Sequence, residues 1–197
     1  MAKVQGPLFS LEARGKVADS VVFFPWKGRH VVRQWLKPTN PQSTLQGYVR
    51  AALKAIARWI KKVAIPSNIY EYATAACPAG LNWNAWLMQG YLNLNQVGGV
   101  FNTASFEAII DEYNNSLHSD TDYVLKDLFE SKASALGLED FAMNYGYTSN
   151  ISKGMQLYFG AKACYEQGIH TAGPYTKDPV SWNSDDLETF YSDHLAS

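Results

Sequence analysis

Two runs of β-branched and aromatic residues, 17–24 and 29–36, flank Pro25-Trp26-Lys27-Gly28, and Lys37-Pro38-Thr39-Asn40-Pro41 follows at once. A break bearing Pro and Gly between two such runs is a hairpin signal. Residues before proline are biased to extended geometry, so 37–41 continues neither a strand nor a helix and reads as a strap. The first 13 residues, interrupted by Gly6-Pro7, have no clear period and read as an arm.

Alternation puts Val21, Phe23, Val31, Arg33 and Trp35 at odd positions of the hairpin and Val22, Phe24, His30, Val32, Gln34 and Leu36 at even ones. Both faces therefore hold large apolar groups. A two-stranded ribbon is marginal alone in water, so it needs a covering surface.

Ser43, three residues before Gln46, fits a helix N-terminus. Over 44–64, Leu45, Val49, Ala52, Leu53, Ile56, Ile60 and Val63 recur every three or four residues and predict one apolar stripe. Arg50, Lys54, Arg58, Lys61 and Lys62 occupy another face with no acid among them. Like charges at such spacing weaken a helix by tenths of a kcal/mol per pair (~0.3), which a negative surface would offset. These five are candidate contacts for a polyanion or an acidic partner.

Beyond Pro66 the periodicity predicts shorter helices over 82–94, 103–113, from Ser119 or Asp120 to 136, 138–145, 149–167 and 184–194. Gly137 and Gly168 are of the type and in the place that stops a helix. The expected architecture is mainly α: an N-terminal β-hairpin arm over about 16–36, the strap, and a body of five to seven helices. The division is 1–43, arm and hairpin, against 44–197, a helical body with a basic first helix and an acidic remainder.

Charge sharpens that division. Residues 1–65 hold 12 of the 17 Lys and Arg and two acids, 12 − 2 = +10; the remainder holds five bases and 16 acids, 5 − 16 = −11. Opposite halves of this size suggest a polyanion at the basic end, or pairing of basic with acidic surfaces. The 18% charged content is low and the 14% aromatic content high. Both suit a protein that covers much of its surface with neighbours.

Chemistry is sparse. Cys77 and Cys164, far apart, suggest two buried thiols. His30, His118, His170 and His194 lack metal-ligand spacing and read as surface or capping residues. The cluster Asp185, Asp186, Glu188 and Asp193 lacks the alternating oxygens of a calcium loop. No GxSxG, Walker A, GxGxxG or HExxH occurs. The expectation is no enzyme, no catalytic residue, no metal and no cofactor. No apolar run is long enough to span a membrane, and the first 16 residues lack the apolar core of a signal peptide, which predicts synthesis in the cytoplasm.

Ala13-Arg14-Gly15, 21–23, Trp26-Lys27-Gly28, Val31-Val32-Arg33, Lys37-Pro38, Asn40-Pro41 and Gln46 together resemble a stretch near the N-terminus of small bacteriophage-encoded proteins with a helical remainder. The resemblance covers about a sixth of the chain. It implies a phage origin and a place in the virion or its assembly, and no activity. The expected partners are copies of the chain or other virion proteins, meeting at Phe23, Trp26, Arg29, Arg33 and Trp35. The alternative is a nucleic-acid-binding module using the helix over 44–64.

Overall fold

The computed structural model describes residues 15–17, 21–36, 43–115, 117, 124–143, 150–170 and 172–195. The predicted arm (1–13), the strap and the predicted cap at Ser119 or Asp120 lie outside them. The chain divides into two compact units, Met1–Pro41 and Gln42–Ser197.

In the first unit the expected hairpin forms between β2 (Val21–Trp26) and β3 (Arg29–Gln34), and β1 (Gly15–Val17) adds a third antiparallel strand on the far side of β2. The turn is two residues long. Lys27 at φ 47° and Gly28 at φ 76° are both left-handed, the conformation whose twist matches that of the flanking strands. Glycine adopts it freely and lysine at a cost.

Pro25 sits inside β2 opposite His30. Counting outward from a two-residue turn, the pair Trp26 and Arg29 is hydrogen-bonded and the next is not. The N–H that Pro25 lacks is therefore not one that β3 needs.

The second unit is helical. Helix α1 (Thr44–Trp59) starts where expected, with the Ser43 side chain accepting from the Gln46 amide at 3.4 Å, and runs on into a π-helical turn, Ile60–Ala64. Its buried stripe differs from the predicted one. Leu45 is exposed and Val49 and Leu53 half-buried, whereas Gly47, Tyr48, Ala51, Ala55 and Trp59 are buried with Ala52 and Ile56. The stripe is rotated toward the side on which Trp59 closes on a glycine of a second helix.

That helix is α6 (Lys153–Glu166), buried on every side from Gly154 to Cys164. A helix buried on every side is the hub of its fold. Around it stand α1, α3 (Trp83–Leu94), α4 (Thr103–Asn115) and α5 (Leu125–Ala135), with α2 (Ile69–Ala76) against α3 and α7 (Ser184–His194) against α5. Gly154 and Gly160 are the points of closest approach. A Cβ on Gly154 would lie 2.1 Å from the Tyr113 hydroxyl.

Two-residue strands make small ladders: β4 (Gln96–Val97) with β5 (Val100–Phe101), and β6 (Phe141–Ala142) with β7 (Asn150–Ile151). The second pair corrects the helix expected over 138–145. Gly137 ends α5 at φ 70°, and Phe141, facing inward at 7% exposure, is then held in extended backbone against Ile151. The expected helix near the C-terminus is α7. Asn183 accepts from the Asp186 amide, and Asp186 accepts in return from the Asn183 amide. The long loop before it is fixed by Trp182, 1% exposed, whose Nε1 donates to Pro174 O at 3.0 Å.

Candidate interaction surface

The register of β2 and β3 decides which side chains share a face. Val22 pairs with Arg33, Phe24 with Val31 and Trp26 with Arg29, while Val21 pairs with Gln34 and Phe23 with Val32. Paired residues point to the same side, so a two-residue turn groups even positions of β2 with odd positions of β3. One face thus gathers Val22, Phe24, Trp26, Val31 and Arg33. The Arg33 guanidinium carbon lies 5.2 Å from the centre of the Phe24 ring, a cation–π contact at the edge of usefulness.

Among the five predicted contact residues, Trp26 and Arg33 therefore share a face and Phe23 is on the opposite one with Val32. Arg29 is described through its backbone, as the ladder partner of Trp26. Trp35, one residue past β3, is half-buried. Trp26 is 59% exposed, which is high for the largest apolar side chain.

The basic stripe of α1 divides. Arg50, Lys54, Lys61 and Lys62 are exposed and Arg58 is half-buried. Lys54 Nζ stands 4.3 Å and the Arg58 guanidinium carbon 4.9 Å from the centre of the Phe141 ring, and Arg58 Nη1 donates to Glu139 O at 3.5 Å. Arg58 and Lys62 also line a cavity of about 110 Å³ with Gly137, Leu138, Glu139 and Gln156. This is where α5 ends, and cations near a helix C-terminus are favourable because its last carbonyls are partially negative. An anion entering there would meet those carbonyls and the Glu139 carboxylate. Lys54 and Arg58 thus have an intramolecular role that the spacing alone did not reveal.

Two histidines expected as surface or capping residues come together, His170 half-buried and His194 buried. His194 is 4% exposed, its ring 4.6 Å from that of His170, and its Nδ1 is 2.6 Å from Asn68 Oδ1. Tyr72 and Tyr175 complete the cluster, and Tyr175 donates to Asp193 Oδ2 at 2.6 Å. Burial, then the neighbouring His170, pushes His194 down to about 4, with Asp193 pulling the other way; burial also lowers His170. Cys164 is buried, and burial pushes its thiol up to about 12, whereas Cys77 is half-buried rather than buried.

A third polar group lies between helices. Lys162, 5% exposed on α6, pairs with Glu112 Oε1 at 2.8 Å and Asp178 Oδ1 at 3.0 Å, and the Tyr158 hydroxyl donates to Glu112. Among the described residues no three His, Cys, Asp or Glu converge on a point that would hold a metal ion, and no helix is long and apolar enough to cross a membrane. Comparison with known proteins finds no matching family model, no matching curated protein and no matching solved structure.

Proposed function

We propose that this chain is a non-enzymatic structural protein of a bacteriophage particle, or of a similar self-assembling array, made in the host cytoplasm and incorporated into the virion. Copies of the chain, or other virion proteins, meet the aromatic and basic face of the N-terminal sheet. The observation that carries this reading is the register that sets exposed Trp26 beside Phe24 and Arg33 on one face. Aromatic residues and Arg are the types enriched at the centres of interfaces.

Charge supports the same reading. The +10 of residues 1–65 and the −11 of the remainder let the sheet of one copy attract the helical surface of the next. A head-to-tail contact of this kind closes a ring or extends a helix. The likeness of 13–46 to phage-encoded proteins adds the particle. The nucleic-acid alternative draws on the same cations, but Lys54 and Arg58 already cover Phe141.

Sedimentation of the full chain over a range of concentration and salt tests the reading. Association that weakens as salt rises, and is reduced in Trp26→Ala and Arg33→Ala, is expected. A monomer at every concentration and salt, absent from purified particles, would overturn it.

A further inference from the structure

The outer edge of β3 has the pattern of a strand that pairs with itself. Among the described residues β3 has one ladder partner, β2. With Trp26 and Arg29 as the hydrogen-bonded pair beside the turn, Phe24 with Val31 and Val22 with Arg33 are hydrogen-bonded too. The N–H and C=O groups of residues 30, 32 and 34 therefore point away from β2. Proteins usually blunt such an edge with proline, a bulge or an inward charge. In β3 there is no proline and the ladder to β2 is continuous; its charges, Arg29 and Arg33, are at positions whose backbone groups point to β2, and Val32 at its middle is 55% exposed.

A second copy of the same strand fits this edge in one register. Antiparallel pairing sets outward-pointing residues opposite outward-pointing residues, so the two-fold axis passes through a residue, not between residues. Centred on 31, the pairing places position 29 opposite 33, Arg against Arg, twice; centred on 33, it places Arg33 against itself. Centred on 30 or 34, it leaves much of the strand unpaired. Centred on Val32, it pairs 30 with 34, 31 with 33 and 29 with 35, and no arginine position faces another. Like charges directly opposite destabilise a ladder, so this is the register that survives.

We propose that two copies join β3 to β3 about a two-fold axis through Val32, continuing the three strands of one copy into the three of the other. The inference rests on the assembly reading above and names its first step: an isologous strand-to-strand contact that leaves the Trp26 and Arg33 face open for head-to-tail growth.

The full chain and four variants test it by sedimentation. Val32→Pro removes an N–H that points outward and none that β2 uses, and Val32→Lys sets two ammonium groups against each other across the axis. Each is expected to weaken the dimer at least about tenfold, while Val32→Thr, which keeps the β-branch, preserves it. Val32→Cys is expected to cross-link as a dimer under mild oxidation, because Cα atoms in a hydrogen-bonded antiparallel pair are about 5.5 Å apart, within disulfide reach. Circular dichroism of the helical unit checks folding; should the proline variant lose its helical signal, the lysine and cysteine variants decide. Association that persists unchanged in Val32→Lys, or no cross-link in Val32→Cys, overturns strand pairing and leaves the assembly reading standing. A wild-type monomer at all concentrations overturns both.

Discussion

Gly160 on α6 lies flat against the indole of Trp59 at the end of α1: a Cβ there would stand 2.0 Å from Trp59 Cε2. Trp59 is fully buried in the core of the helical unit, so its indole has little room to retreat. Glycine at this position is therefore required by close approach and not by backbone conformation. Gly160→Ala is expected to cost about 3 kcal/mol, the upper range for overpacking, as read by urea unfolding followed by circular dichroism. In a double-mutant cycle, Trp59→Phe should recover part of that loss; strictly additive costs would show that the contact is not the cause.

Lys162 is the one buried cation among the described residues, held by Glu112 and Asp178. Removing one partner of a buried ion pair leaves the other uncompensated, at about 3 kcal/mol. Glu112 and Asp178 are partly exposed, with side-chain exposures of 28% and 37%, so water softens the penalty and about 2 kcal/mol is expected for Lys162→Met at neutral pH. In a Glu112→Gln background, which keeps the side-chain shape but removes one of the two carboxylates, the loss on Lys162→Met should be smaller; equal losses in both backgrounds would contradict an electrostatic origin.

The His170 and His194 cluster ties the end of α7 to Asn68, Tyr72 and Tyr175. Burial lowers both imidazoles in the folded state. A folded pKa below the unfolded one means that the unfolded chain binds the proton first. This stability is full above the ordinary value of about 6.5 and is lost as pH falls from there toward about 4, where His194 itself titrates. Asp193, Tyr72 and Tyr175 are the other polar groups around the rings, and Asp193 moderates the effect. Wild type should lose stability steadily across that window, with α7 the first element to exchange its amides. In His194→Gln the slope should flatten. An equal slope in both proteins would assign the acid sensitivity elsewhere.

Much of the helical unit was legible because its signals are local. Ser43, Gly137 and Gly168 each start or stop a helix through local backbone chemistry, and each does so here. What escaped depends on partners distant in sequence. The α1 stripe is rotated because the indole of Trp59 closes on Gly160 of α6, a condition invisible within 44–64. His170 and His194 are on separate elements, so no spacing rule joins them. The face of the sheet followed from turn length: alternation sorted odd from even, but only a two-residue turn sets Trp26 with Arg33 and separates Phe23 from both. Phe141 was misassigned to a helix because in so short a run Leu138, Phe141, Met143 and Tyr145 fit helical and alternating spacing alike.

Lys54 and Arg58 distinguish a helix that serves its own fold from one that serves a polyanion. Both stand over Phe141, which is itself 7% exposed, and Arg58 reaches the Glu139 carbonyl near the end of α5. Each cation–π contact at such a half-exposed site is worth about 0.5–1 kcal/mol. The double variant Lys54→Ala, Arg58→Ala is accordingly expected to lose about 1–2 kcal/mol of stability, in part through lost packing of the long side chains on Phe141. Lys61→Ala, Lys62→Ala, which removes two exposed charges, should leave stability within about 0.5 kcal/mol of wild type. Nucleic-acid binding would reverse the emphasis. Affinity for duplex DNA at low salt would then fall in both double variants, with a shallower salt dependence as phosphate contacts are lost. The assembly reading expects no salt-dependent shift of labelled DNA by wild type, and a steep one would move the basic helix from scaffold to binding surface.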